Sequence, residues 1–541
     1  MTTTAFSVPS PWNEPVQSYE KGSVVEEKLS SELKARRDKV QEIPIVIDGE
    51  HIYAGEVEDI VLPHDHKKVA ARSHKVTSAL MQRAIESSSK PQSVWSQLPQ
   101  RERCAVFLRA ARRMSTIDRY KVLASTMLFQ NKTVEQAELD AACEAIDFLR
   151  YQAYFAQKVC ALAPETSAKG EWNSMEARPL EGFVLALAPF NFTAISMNLA
   201  VAPALMGCSV IWKPSLEALP ASYECLKIFE ESGLPPGVIN MVSGDPQMIG
   251  NFAFKSSKLS GVHFTGSTAT FRHIWKSVGE RISSYDSYPR LVGETGGKGF
   301  VFVHPSADTQ AVISSLVRGA FEYQGQKCSA ASRAYIPQSL WKVIKEPLLS
   351  LTSSLKMGAP DDRDTFVAAL INHKAWNKVK GYLDLAHTQD EYEVLCGGKG
   401  DDSEGYFIQP TVVQSLHPNS QLMSEEIFGP VLTVYVYADD TLWDVVRQCE
   451  KTSPYGLSGA IFARDRVAVY NLSRILRNSA GNLYINVKPT GAVVGQQPFG
   501  GSRASGTNDK AGSHLLLQRW VNYRTIKEVF CLEDKFLFPD S

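Results

Sequence analysis

The chain of 541 residues is short of net charge, of paired cysteines and of any unbroken apolar run long enough to dominate it. Lys and Arg number 57 against 58 Asp and Glu, a formal net charge of −1, so the total offers no drive towards nucleic acid or an anionic membrane, which draw on many uncompensated cations. The nine cysteines include no Cys-x-x-Cys pair, and none stands at zinc spacing from the 11 histidines. Reduced thiols, no structural metal and an intracellular reducing compartment are therefore expected. There is no GxGxxG motif, no repeat at solenoid spacing and no low-complexity tract. Met1–Asn13 carries no Lys or Arg and no long apolar stretch, so it makes neither a signal peptide nor a convincing transit peptide.

One stretch, Gly182–Trp212, holds no charged residue, yet Pro189, Asn191, Asn198, Pro203 and Gly207 interrupt it. It reads as buried strand, loop and buried helix rather than a membrane span. Hydrophobic residues at 44% and charged residues at 21% are those of an ordinary globular protein. The length suggests three or four domain-sized units, or two large ones sharing a cleft, with a small-molecule function.

After a polar stretch to about Gln41, with an amphipathic helix over Val24–Val40, short strands are expected at Ile45–Ile47 and Ala54–Val61. Helices are expected at Ala79–Ser87, Gln100–Thr116 and Val134–Lys158, and a protruding hairpin at Ala163–Leu180. From Phe183 the chain alternates strand and helix: Phe183–Ala188, Ala194–Met206, Val210–Trp212, Ala221–Ser232, Val238–Val242, Gln247–Phe254, Val262–Thr265 and Thr268–Val278. A second alternation runs from Phe300–Val303 to Leu483–Asn486, and Tyr523–Leu532 reads as a terminal strand. Repeated βα units predict two α/β lobes with doubly wound parallel sheets, and ligands beyond the carboxyl ends of the strands.

Cys328, in Gly325-Gln326-Lys327-Cys328-Ser329, sits in a polar, glycine-flanked turn. Lys327 and nearby backbone N–H groups there favour thiolate, although a cysteine is more often a small buried hydrophobe, as Cys143, Cys208 and Cys449 are expected to be. Glu294, in Gly293-Glu294-Thr295-Gly296-Gly297-Lys298, is either a mobile general base at the end of a strand or a capping acid. Asn191, at a strand-to-helix junction, is either an oxyanion donor or an N-cap. Lys213, at the end of the next strand, suits a ribose or phosphate contact. Gly266 and Ser267 open a further helix, able to meet a pyrophosphate or simply to start the helix.

Six segments in order carry a resemblance to the aldehyde dehydrogenase superfamily, over about Pro44–Glu528. They are Pro189-Phe190-Asn191, Trp212-Lys213-Pro214-Ser215, Phe264-Thr265-Gly266-Ser267, Gly293–Lys298, Gly325–Cys328 and Glu425-Glu426-Ile427-Phe428-Gly429-Pro430. Lys488–Gly501 and Ser505–Lys510 resemble more closely the branch that oxidises glutamate γ-semialdehyde, the Δ1-pyrroline-5-carboxylate dehydrogenases.

The resemblance implies the aldehyde-dehydrogenase α/β fold, with an NAD-binding lobe, a catalytic lobe and a small β oligomerisation element. It implies NAD as cofactor, held by Lys213, Ser215, Gly266, Ser267, Glu426 and Phe428, and no metal. It makes Cys328 the nucleophile, Glu294 the base that activates water and Asn191, with the Cys328 N–H, the oxyanion donor. Ser329, Gly491 and Ala492 would hold the substrate's α-carboxylate, with Lys327 beside them, while Phe192 and Phe499 clamp its aliphatic middle. The implied boundaries are an extension over 1–40, the NAD-binding domain over 41–162 and 181–293, the catalytic domain over 294–487, an anchor loop over 488–504 and the oligomerisation element over 163–180 and 505–541.

Two positions depart from the superfamily pattern. Thr295 replaces an apolar residue, and Leu216 stands where many NAD-specific relatives place a ribose-binding Glu, so that Ser215 or Glu217 must serve. The expected reaction is oxidation of L-glutamate γ-semialdehyde to glutamate through a thiohemiacetal and a thioester, the second step of proline catabolism. A CoA-acylating semialdehyde dehydrogenase is the rival enzyme, which has no need of a water-activating Glu294; a scaffold without turnover is the rival of another class, and expects a broken constellation. A homodimer through 163–180 and 523–532 and a separate proline dehydrogenase upstream are the expected partners, with no nucleic acid and no membrane span. The mitochondrial matrix is implied by the family, and the cytoplasm is the alternative.

Overall fold

The structure, a computed structural model, describes residues 8–88 and 94–530. Its first seven-stranded sheet has the order Arg290–Glu294, Leu259–Thr265, Phe183–Leu187, Ser209–Lys213, Ile239–Met241, Ile45–Ile47, Glu50–Ile52. The first five strands are parallel, and the last two add an antiparallel edge. The chain winds outward from Phe183–Leu187 to Ile239–Met241, then returns to lay Leu259–Thr265 and Arg290–Glu294 on the other side. That reversal opens a crevice at the carboxyl ends of Phe183–Leu187 and Leu259–Thr265, where Asn191, Gly266 and Ser267 follow.

Both faces of this sheet are covered. Val184 and Ala186 pack into one apolar cluster while Phe183 and Leu185 pack into another. A strand buried on two sides has no polar face, which is why it reads as an unbroken apolar run. The charge-free stretch is accordingly core, since every position of the helix Thr193–Leu205 except Ile195 is buried. Among the described residues no helix is long and apolar enough to cross a membrane.

The second seven-stranded sheet has the order Tyr392–Cys396, Thr411–Ser415, Val431–Tyr437, Ala331–Pro337, Gly299–Val303, Ser458–Phe462, Asn482–Ile485. It is parallel but for the edge strand Tyr392–Cys396. Val301 and Val303 face one cluster, and Phe300 and Phe302 the other. The two expected lobes are therefore present, and a three-stranded sheet of Gln41–Ile43, Asp65–His74 and Val57–Leu62 adjoins the first.

Three expectations need correction. Ala163–Leu180 is not a hairpin: a single strand, Glu171–Pro179, pairs antiparallel with Val521–Val529 of the same chain, so each has a partner that had been sought across a dimer. Residues 531 and 532 of the expected terminal strand lie outside the described residues. The expected helix Val134–Lys158 is three pieces, α-helical at Val134–Ala137 and Ala145–Cys160 with a π-helical turn, Glu138–Glu144, between them. The helix Arg119–Gln130 was not foreseen; burial of nearly its whole circumference leaves no apolar stripe for periodicity to find.

Candidate active site

Cys328 follows a turn with three successive left-handed residues, Tyr323 at φ 53°, Gln324 at φ 56° and Gly325 at φ 65°. Left-handed backbone costs a non-glycine residue about 1–2 kcal/mol, so this turn persists only if it is held from outside. Tyr323 Oη donates to the Gln130 carbonyl at 2.9 Å, and Gln324 Nε2 donates to the carbonyls of Asn131 at 3.1 Å and Ala369 at 2.9 Å. A Cβ at Gly325 would lie 2.2 Å from the Gly429 carbonyl oxygen, so only glycine fits. These contacts fix where the next residues emerge.

The Cys328 thiol is held up at about 12, first by burial, then by the negative charges of Glu426 and Glu294, against the backbone N–H groups of Cys328 and Ser329. The expectation that Lys327 makes a resting thiolate is overturned. Its ammonium points to Glu322, at 3.3 Å, and burial brings Lys327 itself down to about 8. Glu322 also meets Lys488 at 2.7 Å and Arg318 at 2.6 Å, and these cations hold its carboxyl down to about 2.

Glu294 ends the strand Arg290–Glu294, and its Oε2 accepts from the Gly501 N–H at 2.9 Å. Burial raises its carboxyl well above the usual range, and only the Gly501 bond and Lys510 oppose this. Asn191 is buried and its Nδ2 donates to the Gln326 carbonyl at 3.0 Å, two residues before Cys328. The N-cap alternative for Asn191 fails, because Phe192 occupies that position and contributes no side-chain cap. Asp140 caps the helix from outside, its Oδ2 accepting from Thr193 N at 2.9 Å and its Oδ1 from Ala194 N at 2.8 Å. Cys328, Glu294 and Asn191 thus converge from two lobes and three glycine- or proline-marked turns.

Ser329 Oγ lies 2.8 Å from Thr490 Oγ1, which ties the turn bearing Cys328 to the loop carrying Gly491 and Ala492. A Cβ on Gly491 would meet nothing closer than Lys488 Nζ at 3.9 Å, so the space beside that backbone is open. Phe192 lies edge-on to Tyr323, with ring centroids 6.5 Å apart, and Phe499 is held in its loop by backbone bonds to Ala511 in both directions.

On the crevice side, Lys213 is half-buried, and its Nζ donates to the Pro214 carbonyl at 3.3 Å; among the described residues it has no ion pair. Burial pulls its ammonium below the usual range, an arrangement that suits an anionic or hydroxyl-rich ligand. Ser267 caps the helix Thr268–Gly279, accepting from Thr270 N at 3.1 Å, and Gly266 N donates to the Glu294 carbonyl. Ser215 Oγ accepts from Ala218 N at 3.4 Å. Glu217 Oε1 accepts from Asn372 of the second lobe at 2.6 Å, and the Glu217 charge acts on Lys213. Glu426 Oε1 accepts from Gly297 N at 2.7 Å, and Phe428, at φ 63°, sets its ring edge-on to Phe190, 5.9 Å between centroids. Thr295 is buried and donates to the Ala504 carbonyl, a packing role as expected.

A buried charged group beneath the site was not foreseen. Lys132 Nζ lies 2.7 Å from Asp140, 3.9 Å above the Phe192 ring and 4.5 Å above that of Tyr323. Glu144, one π-helical turn on, is half-buried, and desolvation raises it to about 8. The sequence signal was four acids, Glu138, Asp140, Glu144 and Asp147, in ten residues whose other positions are apolar. The eight cysteines among the described residues are all free, and no group of His, Cys, Asp or Glu there is arranged to hold a metal.

The chain is 47% identical to the mitochondrial Δ1-pyrroline-5-carboxylate dehydrogenase of Dictyostelium discoideum over 98% of this chain and 96% of that one. It is 46% identical to the mitochondrial human enzyme of that name, over 95% and 92%. Its fold superposes with a TM-score of 0.96 on the Mycobacterium tuberculosis Δ-pyrroline-5-carboxylate dehydrogenase crystallised with NAD, at 46% identity and 99% coverage of both chains. With the aldehyde dehydrogenase family model matching residues 53–526, the chain belongs to the aldehyde dehydrogenase family.

Proposed function

We propose that the protein oxidises L-glutamate γ-semialdehyde, the ring-opened form of Δ1-pyrroline-5-carboxylate, to L-glutamate with NAD, the second step of proline catabolism. The observation that carries this is the 2.8 Å contact between Ser329 and Thr490, which sets an open anion-binding backbone one residue from the nucleophile. A substrate with an aldehyde at one end and a carboxylate at the other suits that span. The full-length relatives named for this reaction support the same reading.

The crevice residues fit a dinucleotide, with a half-buried ammonium at Lys213 that has no ion pair among the described residues and a helix start at Ser267 for its hydroxyl and phosphate groups. Ser215, Gly266, Glu426 and Phe428 line the rest of that path. When bound, NAD supplies the acceptor for the hydride that leaves the substrate carbon.

Cys328 releases its thiol proton to water as its sulfur adds to the aldehyde carbon. Asn191 Nδ2 and the Cys328 N–H donate to the developing oxyanion, an arrangement typically worth on the order of 100- to 1000-fold in rate per donor. The Asn191 amide has two N–H donors, so one stays on the Gln326 carbonyl while the other serves the oxyanion. Glu294, raised by burial, then takes a proton from water, which cleaves the thioester and releases glutamate. Ser329 and the N–H groups of Gly491 and Ala492 hold the α-carboxylate, and Phe192 and Phe499 flank the methylenes.

The ribbon of Glu171–Pro179 and Val521–Val529 has two free edges and exposes Trp172, Ile526, Val529 and Phe530. Uncovered strand edges of this kind call for a partner, and we assign the ribbon to a homodimer. A separate proline dehydrogenase supplies the substrate, and the mitochondrial matrix, after the relatives' names, is the assigned location.

The test is NADH formation from aldehydes of increasing length, with and without an α-carboxylate and with and without CoA. Preference for glutamate semialdehyde without CoA is expected. A strict CoA requirement, or indifference to the carboxylate, would sink the reading.

A further inference from the structure

The segment Val8–Glu20 precedes every element of the two lobes, yet it runs across the helix Ala145–Cys160 and is tied down along its length. Val8 is buried and its N–H donates to Gln157 Oε1 at 2.9 Å. The Trp12 ring lies 4.6 Å from the Arg150 guanidinium. Glu14 N donates to Asp147 Oδ1 at 2.7 Å, while the Glu14 carboxylate meets Arg119 at 2.7 Å and Arg150 at 2.8 Å. Gln17 N and Tyr19 Oη donate to the two oxygens of Glu138, at 2.8 and 2.7 Å. So many buried or half-buried polar ties are more than a chain end needs in order to lie down.

Asn13 is the residue of this strap that reaches the anchor loop. Its Nδ2 donates to Asp147 Oδ2 at 2.7 Å and to the Val494 carbonyl at 2.8 Å. Its Oδ1 accepts from Gln496 Nε2 at 2.9 Å and from Tyr151 Oη at 3.3 Å. A carboxylate and a carbonyl can only accept, so the orientation of the amide is fixed and its hydrogen-bonding capacity is filled.

The loop gives Asn13 something to hold. Gln496 N and Gln497 N donate to the Val493 carbonyl at 3.0 Å, and Val493 N donates to Gln497 Oε1 at 2.9 Å. This closes residues 493–497 into a unit that moves as one piece. Toward Cys328 the piece is fixed through Thr490 and Ser329. Gly495 is pressed against Tyr151, where a Cβ would stand 2.1 Å from the ring. The hydrogen bond from Asn13 to the Val494 carbonyl and the one it accepts from Gln496 are the ties between this piece and the strap.

We infer that Asn13, in the strap Val8–Glu20, is a positioning residue that sets the height of the Gly491–Ala492 backbone and so the preference for substrates with an α-carboxylate. This rests on the assignment of Gly491 and Ala492 as the carboxylate site. An aldehyde without a carboxylate does not use that backbone and is indifferent to its height.

The experiment compares KM and kcat for glutamate semialdehyde and for pentanal, with thermal midpoints, in the full-length wild type, Asn13→Ala, Asn13→Asp, Gln496→Ala and Gly491→Ala. Asn13→Ala should raise KM for glutamate semialdehyde on the order of tenfold, with kcat/KM for pentanal within about twofold. Asn13→Asp should do at least as much, since it loses both donors and faces Asp147 with a second carboxylate. Gln496→Ala leaves the strap intact and should show part of the same selective loss, even if the Asn13 variants fold poorly. Equal losses on both substrates, or none on either, would overturn the proposal. If Gly491→Ala erases the carboxylate preference while the Asn13 and Gln496 variants keep it, the strap role is wrong and the carboxylate site stands. If Gly491→Ala also leaves the preference intact, the site assignment itself has failed, and the strap role with it.

Discussion

Burial raises the proton affinity of both Cys328 and Glu294, and nearby carboxylates add to it: Glu426 and Glu294 at the thiol, Asp509 at Glu294. Reactivity therefore has to come from events in the site rather than from a standing thiolate, and Lys327 is spent on Glu322. Cys328→Ala should abolish NADH formation while calorimetry still detects NAD binding; unchanged turnover would remove Cys328 as nucleophile. Asn191→Ala should cut kcat on the order of 100- to 1000-fold with little change in fold by circular dichroism. Glu294 gives a pH signature. Its raised value means that the base form grows as pH rises, so kcat limited by thioester hydrolysis should climb with pH. Glu294→Gln should flatten that limb and let a thioester accumulate, visible by mass spectrometry as a glutamyl adduct on Cys328. The sign for stability is opposite: the protonated carboxyl is the form the fold favours, so its contribution is complete below the ordinary carboxylate value and is lost as pH rises through the raised one. Residues of this kind were legible in the sequence because glycines and prolines mark the turns that carry them. Their protonation was not, since it depends on burial and on Glu426, Asp509 and Gly501, at distances in space that no spacing in sequence conveys.

At the scale of elements, the turn Glu322–Gly325 and the helix Thr193–Leu205 adjoin Cys328 and Asn191, the proposed nucleophile and oxyanion donor, and each is held by something remote in sequence. Gly325→Ala drives a Cβ against the Gly429 carbonyl and strains a left-handed residue. A shift of about 1 Å in the Cys328 turn should then cost on the order of 100-fold in kcat/KM, read by steady-state kinetics. Asp140 caps the oxyanion helix and pairs with Lys132. Asp140→Ala leaves a buried ammonium alone and should cost about 3–5 kcal/mol of stability in denaturant unfolding. The βα alternation was readable because strands covered on both faces are apolar throughout. The helix Arg119–Gln130 escaped for the converse reason, burial all round, and the π-helical turn Glu138–Glu144 shares its residue types with ordinary helix. The protruding strand was placed but mispaired, because pairing of Glu171–Pro179 with Val521–Val529 joins segments some 350 residues apart in chain order.

The molecule as a whole places its chemistry where two sheets meet, the crevice of one supplying Asn191, Lys213 and Ser267 and the first turns of the other supplying Cys328, with Glu294 and the anchor loop between them. Near-neutral total charge is consistent with this, because the anions are met by a few local groups rather than by a field. The ribbon's free edges and exposed Trp172 and Phe530 predict a dimer: sedimentation at micromolar concentration should show twice the chain mass, and a monomer alone would contradict that assignment. The measurement that bears most directly on the central claim is the stoichiometry of the full reaction, with NADH followed by absorbance and product by mass spectrometry. One glutamate formed per NADH from glutamate semialdehyde, with no CoA present, is the predicted result. NADH formation only with CoA, yielding glutamyl-CoA in place of glutamate, would contradict it.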